Sequence, residues 1–200
     1  MIDAINSTLR SVPAWTIYIV GTAGAVWLFY LGLTGGLGVE PINALEREYG
    51  ELALKLMVLG LIVTPLRKWT GINLMKFRRA IGVTAFFFVL AHFLVWAVLD
   101  VQSLSRVWEE IVKRPYVTVG MAAFLMLLPL AITSNNTMVK RLGAASWRKL
   151  HKLTYPAAVL GGLHYLWLVK GFQIEPIIYL VVIIGLLALR KSWSRKAIPA

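Results

Sequence analysis

Arg78–Asp100 reads RRAIGVTAFFFVLAHFLVWAVLD. The 20 residues between Arg79 and Asp100 include no Asp, Glu, Lys or Arg. A helix needs about 20 apolar residues to cross the hydrocarbon core of a bilayer. A helix on the surface of a soluble domain would show a polar face at the helical period. This stretch shows none, so it reads as a membrane span. Its one ionisable residue is His92, well inside the apolar run.

Working outward, the same punctuation recurs. Charges are absent between Arg10 and Glu40, between Arg114 and Lys140, and between Lys152 and Lys170. Two weaker apolar runs remain. Leu52–Leu66 holds Lys55 near its start, and Ile177–Leu189 follows Pro176, a residue suited to a first helical turn. The expected fold is therefore all-α: a polytopic membrane bundle of six helices at about 14–33, 50–66, 80–99, 116–133, 150–169 and 175–190. All 200 residues form one transmembrane domain in this reading.

Composition agrees. The chain is 58% hydrophobic and 15% charged, with a mean hydropathy of +0.72. Soluble domains carry about 25% charged residues, so a soluble enzyme and a disordered chain are both excluded. The absence of cysteine removes disulfides, Cys-based zinc sites, iron–sulfur clusters and covalently attached c-type haem. The net charge of +12 follows from basic loops on one side of a membrane rather than from nucleic-acid binding.

The N-terminus lacks a basic start and a small-residue cleavage site, so the first apolar run is expected to stay as a span. The N-terminus, the 2–3 and 4–5 loops and the C-terminal tail carry 14 basic residues, against 5 in the other loops. Both termini are then cytoplasmic. Eight of the nine acids lie at or next to the outer loops. Trp15, Trp69, Trp108, Trp147 and Trp193 fall near expected helix ends, where an aromatic belt forms.

The three histidines all lie in or at the edge of expected spans. His92 stands 13 residues beyond Arg79, and His164 stands 13 residues beyond His151. Both helices run outward, so each histidine rises about 20 Å from the inner edge. Two neutral imidazoles at one height can ligate one haem iron from opposite sides, a known use of a helix-bundle core. Phe86, Phe87, Phe88, Phe93 and Trp96 near one histidine, and Gly161, Gly162, Tyr165 and Trp167 near the other, suit a large apolar macrocycle. Histidines that only hydrogen-bond between helices, or that form a proton pathway, are the competing readings. A proton pathway would more naturally include a buried acid, and the expected span interiors contain none. His151 is either a solvated helix-start residue or a ligand to a second, inner haem. The residue 14 positions before His92 is Arg78, so the opposing position has no imidazole.

At these residues the chain resembles the MsrQ (YedZ) family, the haem-binding membrane subunit of the bacterial periplasmic methionine sulfoxide reductase system. That family falls in the wider ferric-reductase-like transmembrane group. The matching pieces include Thr64-Pro-Leu-Arg67, Arg78-Arg-Ala-Ile-Gly82, Ala91-His92 and Lys113-Arg-Pro-Tyr116 with Gly120. They continue through Leu130-Ala-Ile-Thr-Ser134, Trp147-Arg-Lys-Leu-His151 and His164-Tyr165 with Lys170. The ordered set covers about residues 50–170.

The resemblance implies a six-helix b-type cytochrome of the bacterial inner membrane, with one or two haems b. It would carry electrons from the quinone pool to MsrP, a periplasmic molybdenum-cofactor reductase that repairs oxidised methionine. His92, His151 and His164 match the family's histidines. Arg78 matches the arginine that stands where related ferric reductases have a histidine. The resemblance also implies FMN, whose phosphate would find Arg67, Lys68, Arg78, Arg79 or Arg148 at the inner loops. The methionine sulfoxide chemistry belongs to the partner. The alternatives are a stand-alone ferric or oxygen reductase, and a haem-free proton-coupled transporter using the same histidines.

Overall fold

A computed structural model describes residues 1–169 and 171–196. Among these it is helical throughout, with no strand. The long elements are α2 (Thr16–Leu33), α3 (Pro41–Thr70), α4 (Arg78–Leu94), α6 (Pro115–Ile132), α9 (Thr154–Leu168) and α10 (Ile174–Lys196). Shorter helices join them: α1 (Ile2–Ser11), α5 (Leu104–Lys113), α7 (Asn136–Leu142) and α8 (Ala144–Leu150).

Each expected span has a counterpart among these helices. Four described segments are long and apolar enough to cross a membrane: Thr16–Leu33, Pro41–Thr70, Met75–Val101 and Pro115–Ile132. α9 has 15 residues, and a turn of 3-10 helix, His151–Leu153, extends it at its start. Lys170 and the side chain of Trp193 lie outside the described residues.

The boundaries differ where proline and charge act. α3 starts nine residues before its expected start at 50, with Pro41 in its first turn. Its extension carries Glu46, Arg47 and Glu48, a charged overhang that hydropathy does not count as span. It ends at Gly71, whose φ of 77° closes the helix in the left-handed region. The expected fifth helix is broken at 151–153. Pro156 has no N–H for the carbonyl of Lys152, and its ring crowds that carbonyl. The chain tightens there before α9 begins. α4 ends in a π-helical turn, Val95–Val101, and Gln102 follows at φ 60°.

α3 packs along α4, and α6 packs along α9. α10 lies against α9 and α3, and α2 lies against α3 and α4. One core joins five helices: Leu54, Met57 and Leu61 of α3, Ala85 and Phe86 of α4, Leu127 of α6, Ala157 and Ala158 of α9, and Ile183 of α10. Lipid is as apolar as these side chains, so close packing rather than exclusion from water holds them. Ala157 and Ala158 are fully buried and let α9 approach its neighbours. A second cluster ties α2 to the bundle, where the Tyr49 hydroxyl donates to the Ala25 carbonyl at 2.7 Å.

Pro65 sits inside α3 and is fully buried. It cannot donate to the carbonyl of Leu61. Arg190 reaches in from α10 and donates to that carbonyl at 2.8 Å, to the Thr64 hydroxyl at 3.2 Å and to the Tyr155 hydroxyl at 2.9 Å. The guanidinium also lies over the Tyr155 ring, 5.3 Å from its centre.

Candidate functional site

α4 and α9 bring His92 and His164 together. Their ring centres are 6.2 Å apart, and their planes stand at 78°. Each ring is held by one nitrogen. Nδ1 of His92 lies 2.8 Å from the Glu46 carbonyl of α3, and Nδ1 of His164 lies 2.7 Å from the Tyr116 carbonyl of α6. A carbonyl only accepts, so both Nδ1 atoms carry the proton and donate it. Each Nε2 then keeps its lone pair.

That is the tautomer a metal-ligating histidine needs, with the backbone acceptor fixing the ring and raising its basicity. Two imidazoles facing one metal from opposite sides place their ring centres about 6 Å apart, with about 2 Å from each nitrogen to the metal and about 1 Å from nitrogen to ring centre. The observed separation fits that arrangement.

The rings open on an apolar cavity lined by Leu54, Met57, Val89, Phe93, Trp96, Val117, Phe124 and Leu127, with Gly161 and Tyr165 on the α9 side. Phe124 stacks on Phe93 at 5.1 Å and on Phe86 at 5.9 Å. Glu46, Arg47 and Glu51 also line this cavity. A flat apolar macrocycle with charged edges suits such a lining. Among the described residues no group of three or more His, Cys, Asp or Glu could hold a bare metal ion.

Not every aromatic expected here faces the cavity. Phe87 is exposed on the outside of the bundle, as is Trp167. Phe88 packs on Tyr49 at 5.9 Å. Gly162 faces α10, where an added Cβ would lie 3.2 Å from Ile183 Cδ1. Phe124, from α6, is the aromatic that sequence reading missed; it turns inward against Phe86 and Phe93 of α4.

His151 stands apart from the other two histidines. The Thr133 hydroxyl donates to the Pro129 carbonyl at 2.6 Å and therefore accepts from His151 Nε2 at 3.1 Å. Trp147 stacks on the His151 ring at 3.8 Å and donates its indole N–H to the Thr133 carbonyl at 2.9 Å. Trp147 thus belongs to this polar knot rather than to a lipid-facing belt. Arg78 is half-buried at the start of α4, and neighbouring Arg79 donates to the Asn136 side chain of α7 at 2.6 Å. On the opposite side, α5 and the end of α4 form a polar cleft lined by Trp96, Asp100, Arg106 and Arg114 among others. Arg114 pairs with Glu110 there at 2.6 Å. Trp96 lines both the apolar cavity and this cleft.

Residues 49–162 match the family described as ferric reductase like transmembrane component. The chain is 44% identical over 189 residues to the protein-methionine-sulfoxide reductase heme-binding subunit MsrQ of Brucella ovis. That alignment covers 93% of this chain and 86% of the relative. The MsrQ proteins of Brucella canis and Brucella suis match with the same figures. No solved structure matches this chain.

Proposed function

Because the chain belongs to the MsrQ family of ferric reductase like transmembrane proteins, we propose that it is a b-type haem cytochrome of the bacterial inner membrane. In this reading it carries electrons from the quinone pool to a periplasmic MsrP-like reductase. It is one domain of six spans over residues 1–200, with both termini cytoplasmic. The shared core of α3, α4, α6, α9 and α10 supports one domain, and the 14 basic residues on one side support the orientation. The relatives' printed name, a haem-binding subunit of a methionine sulfoxide reductase, supports both the cofactor and a partner.

The observation that carries this reading is the His92–His164 pair, 6.2 Å apart, with both Nδ1 atoms on backbone carbonyls and both Nε2 atoms free. His92 and His164 would hold the haem iron, and a bound haem supplies a one-electron carrier. Glu46 and Tyr116, through their carbonyls, keep both ligands neutral at Nε2 and strengthen them as donors. Phe93, Phe124 and Leu127 keep water from the site. Trp96, shared by the cavity and the outer cleft, lies on the side from which a partner would draw the electron. His151 and Arg78 lie at the inner face, where His151 would hold or tune any second cofactor.

Reduced-minus-oxidised absorbance of the detergent-purified chain, with haem extracted and counted, tests the reading. A b-type spectrum is expected for the native chain and is lost in His92→Ala and in His164→Ala. A colourless native protein, expressed with ample haem, would overturn it and leave proton-coupled transport. Rapid ferric or oxygen reduction by the chain alone would instead replace the MsrP-like acceptor.

A further inference from the structure

The two histidine seats are built in the same way. In α3 the acceptor carbonyl belongs to Glu46, and the residue one turn on is Gly50. In α6 the acceptor carbonyl belongs to Tyr116, and the residue one turn on is Gly120. Each imidazole lies across the bare backbone of that glycine to reach the carbonyl behind it. A Cβ on Gly50 would stand 3.0 Å from His92 Nδ1 and 3.3 Å from its Cε1. A Cβ on Gly120 would stand 2.7 Å from His164 Nδ1 and 2.9 Å from its Cε1. Both glycines are mid-helix, where glycine costs about 1 kcal/mol against alanine. Neither has a positive φ that would explain it.

We infer that Gly50 and Gly120 are positioning residues for the two haem-ligating histidines: each is a notch that lets an imidazole donate Nδ1–H to the carbonyl one turn earlier. This rests on the bis-histidine haem reading. The contact distances rank the two notches. At Gly50 the ring must give by a few tenths of an ångström, and part of the hydrogen bond survives. At Gly120 the methyl and the ring overlap, so His164 must leave the Tyr116 carbonyl. Without that acceptor the imidazole is a weaker donor, ferric iron is less favoured, and the midpoint potential rises. Loss of such a supporting partner typically weakens metal retention about tenfold or more.

The test uses the full chain in detergent, as native protein, Gly50→Ala, Gly120→Ala and Gly185→Ala. A methyl at Gly185 of α10 would meet nothing within 4 Å. Haem per chain and the potentiometric midpoint are read for each. The expected order is native equal to Gly185→Ala, then Gly50→Ala with a raised midpoint, then Gly120→Ala with the largest rise or with haem lost. Native midpoints in both notch variants would overturn the inference while leaving the haem reading intact. An equal shift in Gly185→Ala would also overturn it, since any added helix methyl would then suffice. A native chain without haem would instead sink the underlying reading. Should Gly120→Ala fail to accumulate, the milder Gly50→Ala carries the test alone: a raised midpoint supports the notch, and a native one refutes it.

Discussion

His92 and His164 each spend one nitrogen on a backbone carbonyl, and this fixes more than their tautomer. It also fixes their planes, at 78° to one another. If His92 and His164 hold a haem iron with their planes kept nearly perpendicular, two iron orbitals would lie close in energy. A highly anisotropic low-spin ferric signal is therefore expected in electron paramagnetic resonance. A rhombic low-spin spectrum would mean that the planes align on binding. His151 differs in kind, because its Nε2 is already taken by the Thr133 hydroxyl and its face by Trp147. His151→Ala is expected to keep the absorbance of the haem on His92 and His164, and the haem count in that variant reads out any second site directly. Collapse of the main spectrum would show that the His151 knot is needed to build the His92–His164 site. The meeting of His92 and His164 was legible in the sequence, since equal rises on parallel helices put them at one height. The carbonyl acceptors were not. A backbone oxygen has no letter of its own, so nothing in the identities of Glu46 and Tyr116 marks them as acceptors.

Proline decides how several of these helices behave, and at Pro65 the break is mended by a side chain from elsewhere. Pro65 orphans the Leu61 carbonyl, and Arg190 satisfies it from α10. Arg190 thereby ties α10 to α3 and, through Tyr155, to α9. Removing one partner of a buried hydrogen bond to a charged group costs about 1.5–3 kcal/mol. Arg190→Leu should therefore lower the melting temperature of the purified chain, and Arg190→Lys should lower it less. Pro65→Ala restores an N–H to α3 and supplies the missing bond to Leu61. In a double-mutant cycle it should recover part of the loss in Arg190→Leu, and strict additivity would show that the Leu61 carbonyl is not what Arg190 serves. Hydropathy marks apolar runs, but it could not see this strut. From the sequence alone, Arg190 closes the last apolar run and counts as one more inner basic residue. The α9 boundary was missed for a related reason. Pro156 follows His151 closely enough to break the helix, while the apolar pattern runs on past it.

At the scale of the whole molecule, sidedness is what would turn a haem on His92 and His164 into an electron route across a membrane. The cavity and its polar cleft lie toward α5, and the His151 knot lies toward α7 and α8. In the proposed orientation the second side faces the cytoplasm. α5 reads as an interfacial helix. Val107 is buried, while Leu104, Trp108 and Val112 form an exposed apolar row one turn apart, beside the paired charges of Glu110 and Arg114. The sequence marks this segment as an outer loop with Trp108 near an expected helix end, since its length and charge argue against a span. Because the chain has no cysteine, a single introduced thiol reports sidedness without background. Ser7→Cys in α1 and Ser105→Cys in the first turn of α5 are both at exposed positions. In intact spheroplasts a membrane-impermeant maleimide should label Ser105→Cys and spare Ser7→Cys until the membrane is opened. The reverse pattern would invert the bundle. His92 and His164 would then serve the cytoplasmic side, and a periplasmic acceptor would have to draw its electrons from the His151 end. Labelling of both before lysis would mean that an even number of spans separates the two sites, whereas three spans lie between them in the expected order.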